Sequence, residues 1–516
     1  MSIVETSVVL RALRGAWLAV LLWIRESNLA RWYLRAEQAV ARAFRGSRIF
    51  TVLFRRGAVL RAWEGSLACR ALTAAAGLIP RGLRRLYLPL RDIWEGSAAF
   101  RIAGALGNNV GVILSWFFLL LTACPHRYWN NLYTLAAVLV CTALLFFACA
   151  RTGAPRLEVG RLNPYLWAFV FMLFVGVAES SSRRVSLRYL MFFLSAILLC
   201  LLALSAADSV ERLRRMAAFG CAGMIPSALY GAYQLLVLGV TNTSSTVDLT
   251  LNAEMPGRVS SYFDNPNTYA QVLVMLLGVG LGLLFACRTV RGRIACLVCL
   301  GFGAAGILMT YSRASWVGLA AAIFLFVLLA KPRLLPVLIL GGLALLPALP
   351  ASIYNRILTI FNPSDSSTSS RFPIYEVGLR IWRTSPLVGT GLGSEISAAL
   401  AHNSGWYHRL FRFPHYHNIY LQLAVETGLL GLLSYAAGFL GACKDSLRAV
   451  RAAGCPRDVR CLVIGCFSGL AGVMICGLAD YFWHYPRVMA IFWLIFGMML
   501  AGIRLAGCSR AEQAAE

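Results

Sequence analysis

Long apolar segments with few charges recur along this chain of 516 residues. A helix needs about 20 mostly apolar residues to cross the hydrocarbon core of a bilayer. In lipid the backbone polar groups must be bonded within the segment, so segments of this length predict helices. The chain is therefore predicted to be an all-α polytopic membrane protein with about twelve transmembrane helices. The segments are 107–124, 131–150, 164–179, 188–206, 216–240, 268–287, 294–311, 312–330, 334–350, 417–441, 461–480 and 488–505.

The positively charged residues are concentrated in loops. A formal net charge of +26 would suit a nucleic-acid partner, but the arginines crowd every second connection between the segments. Positive residues mark cytoplasmic loops, so we expect no nucleic-acid partner, both termini in the cytoplasm and a location in a bacterial cytoplasmic (inner) membrane. The basic residues of these connections are Arg151, Arg156, Arg161, Arg212, Arg214, Arg215, Arg288, Arg291, Arg293, Lys331, Arg333, Lys444, Arg448, Arg451, Arg457 and Arg460.

Two regions differ in composition. In residues 1–100, arginines alternate with aromatic and aliphatic residues, which predicts basic amphipathic helices on the cytoplasmic membrane surface. A cytoplasmic helical hairpin or an oligomerisation segment would give the same pattern. Residues 101–510 form the predicted polytopic domain, with a large extracytoplasmic loop at 351–416. Within that loop we expect a helix from Arg371 to Arg383, with Pro373 in its first turn.

Several motifs lie on the predicted outer side. His417-Asn418 precedes Gly428-Leu429-Leu430-Gly431 by a nine-residue spacer. Together the motifs resemble the signature of the O-antigen ligase and polysaccharide polymerase superfamily, which consists of integral-membrane glycosyltransferases, and the resemblance covers about residues 215–505. The other motifs are Phe263-x-Asn265-Pro266-Asn267, Ser312-Arg313 and Pro386-Leu387-Val388-Gly389-Thr390-Gly391.

Four cationic or titratable residues converge on the predicted outer face: Arg258, Arg313, Arg371 and His417. A cation beside hydrocarbon is costly and tends to be kept where it meets an anion. The acidic residues on that side are too few to pair all the arginines. Because a guanidinium donates two parallel hydrogen bonds to a phosphate, the pattern predicts a lipid-linked diphosphate as ligand.

The resemblance implies a C-type glycosyltransferase-like fold and an inverting, metal-independent reaction without a cofactor. It implies that a glycan passes from an undecaprenyl-diphosphate-linked donor to a glycan, lipid or cell-wall acceptor, so that the enzyme is a polymerase or a ligase, a choice the sequence leaves open. An imidazole accepts a proton near neutral pH, which suits a general base. The expected catalytic residues are His417, Arg371 and Arg313. The expected donor- and acceptor-binding residues are Arg258, Asn265, Asn267, Asn418 and Asp480.

Other interpretations stay open from the sequence. His417 could cap its helix, and Asn267 could be the N-cap of a loop-to-helix turn. Gly389-Thr390-Gly391-Leu392-Gly393 resembles a phosphate-binding glycine run but predicts a tight turn more strongly. His415 and His417 could be a fragment of a metal site, although such sites need three or four ligands. At the level of function, the alternatives are a polysaccharide or lipid transporter or flippase and a non-catalytic membrane scaffold.

Overall fold

The computed structural model describes residues 57–515, except 154–156, 241–254, 363–368 and 406–414, together with isolated positions before residue 57. The described chain is helical and contains no strand. It divides into two compact units, Met1–Ala58 and Val59–Glu516. In the first unit the isolated positions are helical, and most of the predicted amphipathic region before residue 57 lies outside the described residues. Residues 363–368 and 406–414 of the predicted loop 351–416 also lie outside them.

From Ala58 onward, helices follow one another along the chain. In chain order they are α1 Ala58–Gly65, α2 Leu67–Ala76, α3 Leu78–Tyr87, α4 Arg91–Gly96, α5 Ala98–Asn108, α6 Val110–Ala123, α7 Leu132–Thr152, α8 Pro164–Ala178, α9 Arg183–Ala206, α10 Val210–Ala222, α11 Met224–Tyr233, α12 Pro266–Ala286, α13 Val290–Met309, α14 Arg313–Ala330, α15 Leu335–Leu345, α16 Ala351–Leu358, α17 Arg371–Thr384, α18 Ser394–Asn403, α19 Ile419–Arg451, α20 Arg457–Cys476 and α21 Pro486–Ala515. A π-helical turn, Gln234–Leu238, extends α11.

The prediction of a polytopic all-α membrane protein is confirmed. Nine described helices are long and apolar enough to cross a membrane, or up to eleven if each bent pair counts as one span. The bent pairs are α5 with α6, at 67°, and Pro332–Ala348 with α16, at 119°. The apolar helix α8 has 15 residues and is about 22 Å long, shorter than a bilayer core. Each of the twelve predicted segments is helical, but twelve crossings are not confirmed.

Glycines allow the central helices to approach closely. A Cβ atom on Gly278 of α12 would lie 2.5 Å from the backbone of Gly469 of α20, and one on Gly282 would lie 2.6 Å from the carbonyl oxygen of Cys461. Both helices repeat glycine at a four-residue spacing, with Gly465 and Gly469 on α20. In lipid the hydrophobic effect does not drive helices together, so close backbone contact between small residues stabilises the pair.

The ends of the bundle carry different groups. At one end Asp458, in the first turn of α20, accepts from the Arg288 guanidinium at 3.1 Å and lies 3.5 Å from that of Arg214. These residues belong to the arginine-rich connections of the sequence. At the other end lie the first turns of α12, α14, α19 and α21 and the last turn of α20, which together position the site described below.

Helix α19 is interrupted at Gly428, whose φ is 68° and ψ −176°. The segment 386–391 fills the interruption. The N–H of Thr390 donates to the carbonyl of Val425 at 2.8 Å, and the N–H of Leu429 donates to the carbonyl of Pro386, also at 2.8 Å. Backbone groups exposed by a break must be bonded again inside protein, and these contacts do so.

The two glycine motifs of the sequence, residues 386–391 and 428–431, therefore contact each other. A Cβ on Gly428 would lie 2.1 Å from the carbonyl oxygen of Leu387, and one on Gly389 would lie 2.5 Å from the carbonyl of Glu426. The N–H of Gly391 donates to the Glu426 carbonyl at 3.3 Å. Because these amide groups bond the broken helix, the phosphate-binding interpretation of the glycine run is wrong, and the tight turn is confirmed.

Candidate functional site

His417 and Asp480 form the centre of the site. His417 lies two residues before α19, and Asp480 lies between α20 and α21. The Nδ1 atom of His417 is 3.1 Å from Oδ1 of Asp480. The His417 side chain is 31% exposed and that of Asp480 11%. An ionised carboxylate only accepts hydrogen bonds, so in the neutral form of this ring Nδ1 would carry the proton and Nε2 would keep a lone pair.

Asp480 is held on both oxygens. Oδ1 also accepts from the N–H of Tyr481 at 2.8 Å, and Oδ2 accepts from Nε2 of Gln271 at 3.0 Å. Burial alone would raise the pKa of the Asp480 carboxyl, but the hydrogen bond from His417 and the surrounding positive charge, that of Arg371 included, hold that pKa well below its usual range. Asp480 is therefore ionised at neutral pH and fixes the ring orientation of His417.

Asn418 caps the helix, and His417 does not. The Asn418 Oδ1 atom accepts from the N–H groups of Tyr420 and Leu421, each at 3.0 Å, and its Nδ2 donates to the carbonyl of Leu478 at 3.0 Å. The helix-cap interpretation of His417 is wrong, because the adjacent asparagine fills that position. Since its polar atoms are used in this way, Asn418 holds α19 against the turn that carries Asp480.

The backbone of His417 lies in the left-handed region, with φ 47°. This conformation is uncommon for a residue other than glycine and costs of order 1 kcal/mol or more. Two contacts stabilise it. The His417 N–H donates to Nδ1 of His415 at 3.1 Å, and its carbonyl accepts from the Tyr375 hydroxyl at 3.3 Å. The strained turn points the imidazole toward Asp480 instead of along the helix.

Arg258 lies beside the first turn of α12. Its Nε donates to the carbonyl of Thr310 at 2.9 Å, and its Nη2 donates to Oδ1 of Asn267 at 2.5 Å. Burial lowers the pKa of Arg258 to about 10, against the opposing charge of Asp480, so the group remains a cation at neutral pH. Asn267 thus orients a guanidinium.

The N-cap of α12 is Asn265, so the interpretation of Asn267 as the cap is wrong. Oδ1 of Asn265 accepts from the N–H of Asn267 at 2.8 Å, and Pro266 occupies the first helical position. Proline suits that position because its fixed φ is helical and its missing N–H would have no partner within the helix. The cap therefore precedes the proline.

Arg313 and Arg371 complete the cationic side of the site. Nη1 of Arg313 donates to the carbonyl of Thr359 at 2.7 Å. Arg371 is the first residue of α17 and is partly buried. Within the described part of the chain its guanidinium has no hydrogen bond or ion pair, yet its charge acts on both Asp480 and Arg258. Arg371 is therefore the guanidinium best placed to meet an external anion.

Three ligand-type side chains also cluster here. One atom each of His415, His417 and Asp480 lies within 4.8 Å of the other two. Burial, followed by the charge of His417, holds the pKa of His415 well below its usual value, and burial likewise lowers the pKa of His484. Both rings are neutral at pH 7. The three groups could hold a metal ion by type and distance. Of their ring nitrogens, Nδ1 of His415 accepts from the His417 N–H, and Nδ1 of His417 is hydrogen-bonded to Asp480.

The structure brings together the residues that the sequence singled out. His417 contacts Asp480, the charges of Arg258, Arg313 and Arg371 act on one another or on Asp480, and Asn265 and Asn267 position Arg258. Sequence reasoning missed Gln271 and Tyr375. Gln271 had a signal, because it is a polar residue inside an apolar span, one helical turn after Asn267. Tyr375 had none.

Comparisons with known proteins cover part of the chain. Residues 294–436 match the family model described as O-Antigen ligase. That stretch includes Arg313, Arg371, His417 and both glycine motifs, and excludes Arg258 and Asp480. The chain is 26% identical over 303 residues to the exopolysaccharide production protein ExoQ of Rhizobium meliloti (strain 1021). The alignment covers 54% of this chain and 64% of that relative's length.

Proposed function

We propose that the chain, which is similar to members of the O-antigen ligase and polymerase superfamily, transfers a glycan from an undecaprenyl-diphosphate-linked donor to an acceptor hydroxyl. The acceptor is a second glycan, a lipid or a cell-wall polymer. One observation carries the proposal: an imidazole oriented by an ionised carboxylate lies beside three guanidinium groups at one end of a bundle of apolar helices.

In the proposed reaction the diphosphate of the donor lies against Arg371, with Arg258 and Arg313 behind it. The acceptor oxygen bonds to the anomeric carbon as the bond from that carbon to the diphosphate oxygen breaks. The acceptor proton passes to Nε2 of His417, and the diphosphate leaves with the bonding electrons. Preorganised cations stabilise the charge that develops on the leaving group. Attack from the side opposite the diphosphate inverts the anomeric centre.

The proposed sidedness rests on charge. The end of the bundle opposite the site carries Arg214, Arg288 and Arg504 together with the arginine-rich connections, and cytoplasmic loops are enriched in such residues. The site then faces outward from a bacterial cytoplasmic membrane, and both termini lie in the cytoplasm. Lipid-linked glycans displayed on the outer leaflet would reach it directly.

A transporter is the alternative, since transporters place broken helices and ionisable groups within the membrane. Helix α19 is broken and carries Glu426, whose side chain is fully buried. The break is filled by residues 386–391, and one carboxylate oxygen of Glu426 accepts from Nε2 of Gln422 at 2.8 Å. The interruption is thus packed with protein backbone and does not line a substrate path, which favours the transferase.

Replacing Arg371 with Ala should lower glycan transfer by roughly 10²-fold, the usual loss on removing one group that stabilises developing charge. Arg371→Lys should recover only part of the activity, because an ammonium cannot donate two parallel bonds to one phosphate. Transfer is measured with purified protein and a synthetic lipid-diphosphate glycan. The loss should appear in kcat and in KM for the donor.

Arg380→Ala is the matched control for Arg371. Arg380 lies on the same helix, is exposed and pairs with Glu376 one turn away at 2.6 Å. This variant should keep near-normal transfer. Equal losses in the two variants would mean that α17 as a whole, and not the Arg371 guanidinium, is required, and would remove the arginine from the mechanism.

Chelation should leave transfer unchanged, because the proposed mechanism uses His417 and the arginines without a metal ion. Activity is followed before and after treatment with EDTA and with a membrane-permeable chelator. The group of His415, His417 and Asp480 makes this a stringent test. Loss of activity that one divalent ion restores would show a metal centre at that group.

Disrupting the gene in its host tests the function itself. If the protein is a polymerase, lipid-linked single repeats accumulate and long chains disappear. If it is a ligase, long lipid-linked chains persist without reaching their carrier. Unchanged lipid-linked and surface glycans would overturn the transferase proposal and favour transport.

A further inference from the structure

A second site candidate lies away from His417, at the other end of the bundle. It is a cavity of about 480 Å³ between α2, α3 and the last turn of α7. The residues that follow α7 show which end of the bundle this is. The Glu158 carboxylate lies 3.6 Å from the Arg504 guanidinium of α21, and the N–H of Glu158 donates to the hydroxyl of Ser205, near the end of α9. The proposed transfer reaction uses none of the residues that line this cavity.

The lining is cationic. Arg70, Arg81 and Arg84 contribute guanidinium groups, and Glu64 contributes one carboxylate. Arg84 Nη1 donates to the carbonyls of Ala150 and Arg151 at 3.2 and 3.3 Å, which fixes it at the end of α7. These bonds use one nitrogen of the guanidinium group, which has five N–H donors, so further N–H groups remain to bind an anion. A positive cavity with donors fixed in position suits a phosphate group.

Arg81 is fixed in a similar way. Its Nε donates to the carbonyl of Gly77 at 3.0 Å, and its Nη2 donates to that of Ala74 at 2.5 Å. Ala74 lies in the last turn of α2, and Gly77 directly follows that helix. Arg70, on α2, is exposed. The cavity therefore combines two guanidinium groups held by the backbone with one that is free to move toward a ligand.

Apolar surface surrounds these charges. Ala74, Pro80 and Cys149 line the cavity beside the arginines. On α2 and α3 the side chains of Leu67 and Leu78 are 77% and 64% exposed. Exposed leucines next to arginines on short helices are typical of surfaces that lie in the membrane interface. A soluble phosphate compound would leave this apolar rim in water, whereas acyl chains would cover it.

We propose that this cavity binds the headgroup of an anionic phospholipid from the leaflet at that end of the bundle, with the acyl chains against Leu67 and Leu78. The phosphate contacts Arg70 and Arg81, and Arg84 adds charge from the end of α7. A zwitterionic headgroup carries an ammonium that the three arginines repel, so the site selects phosphatidylglycerol over phosphatidylcholine.

Native mass spectrometry of the full chain, released from detergent with defined phospholipid, tests this proposal. The double variant Arg70→Gln, Arg81→Gln should bind phosphatidylglycerol roughly 30-fold more weakly, since each arginine near an anionic lipid contributes roughly fivefold. The control variant Arg215→Gln, Arg291→Gln removes two exposed arginines elsewhere and should bind as wild type. The control variant should show the Tm of wild type in detergent, whereas Arg81→Gln removes two hydrogen bonds to carbonyls at the end of α2. The single variant Arg70→Gln leaves those bonds in place and should still weaken binding roughly fivefold at the Tm of wild type.

Three outcomes would overturn the proposal. Equal weakening by the two double variants would show general surface attraction. Equal retention of phosphatidylglycerol and phosphatidylcholine would show no charge selection. Displacement of phosphatidylglycerol by millimolar inorganic phosphate, with Leu67→Ser, Leu78→Ser binding the lipid as wild type, would show a site for soluble phosphate. If the double leucine variant loses lipid while inorganic phosphate fails to compete, the lipid site is supported.

Discussion

His417→Ala is expected to reduce glycan transfer by roughly 10²- to 10⁴-fold, the range that a positioned general base contributes. Alanine removes the only Nε2 lone pair that Asp480 orients in this turn. The residual rate comes from the arginines, which the substitution leaves in place. The measurement is single-turnover transfer at saturating donor, so that the chemical step is read directly.

The His417→Ala protein should fold normally. The His417 side chain is 31% exposed, and the cap of α19 comes from Asn418. The control is His402→Ala on α18, where an exposed imidazole is removed and transfer should be normal. His417→Ala protein with normal Tm and near-normal transfer would exclude the proposed base.

Gly428→Ala should prevent the protein from folding. The added Cβ would meet three backbone atoms of Leu387 and Val388 at 2.1 to 2.4 Å, and the residue has φ 68°. Backbone strain alone costs about 1–3 kcal/mol for a residue other than glycine, and a backbone clash cannot be relieved by a rotamer change. The expected result is aggregated or degraded protein, measured by fluorescence-detected size exclusion in detergent.

Gly301→Ala is the matched control, because the same substitution in α13 meets nothing within 4 Å. Alanine has the higher helix propensity, so this variant should fold as well as wild type or slightly better. A monodisperse Gly428→Ala protein with normal Tm would contradict the pairing of α19 with residues 386–391.

The residues of the site could be predicted from the sequence more fully than the backbone contacts that hold them in place. Apolar length and the distribution of arginine placed His417, Arg258, Arg313 and Arg371 on one side, and the structure brings their charges together. The break in α19 could not be predicted, because glycine fits a helical pattern and the apolar segment runs on through residue 428. Its partner segment lies about 40 residues earlier in the chain, so only the folded backbone reveals the pairing.

Smaller errors had local causes. The cap of α12 was assigned to Asn267 because asparagine suits both positions, and the proline between the two asparagines decides for Asn265. Twelve crossings stay a prediction, because hydropathy shows neither that α15 and α16 bend back nor that α8 is short.

The contact between the 386–391 segment and α19 also limits how such a chain can diversify. In the proposed transferase, a long loop beside the site is the natural place to vary acceptor preference, since loops tolerate exchange better than the helices they join. Here that loop contributes part of the interior of a span. A recombination event or an engineered chimera must therefore transfer the loop glycines and the Gly428 turn from the same parent, and specificity can change freely only outside residues 386–391.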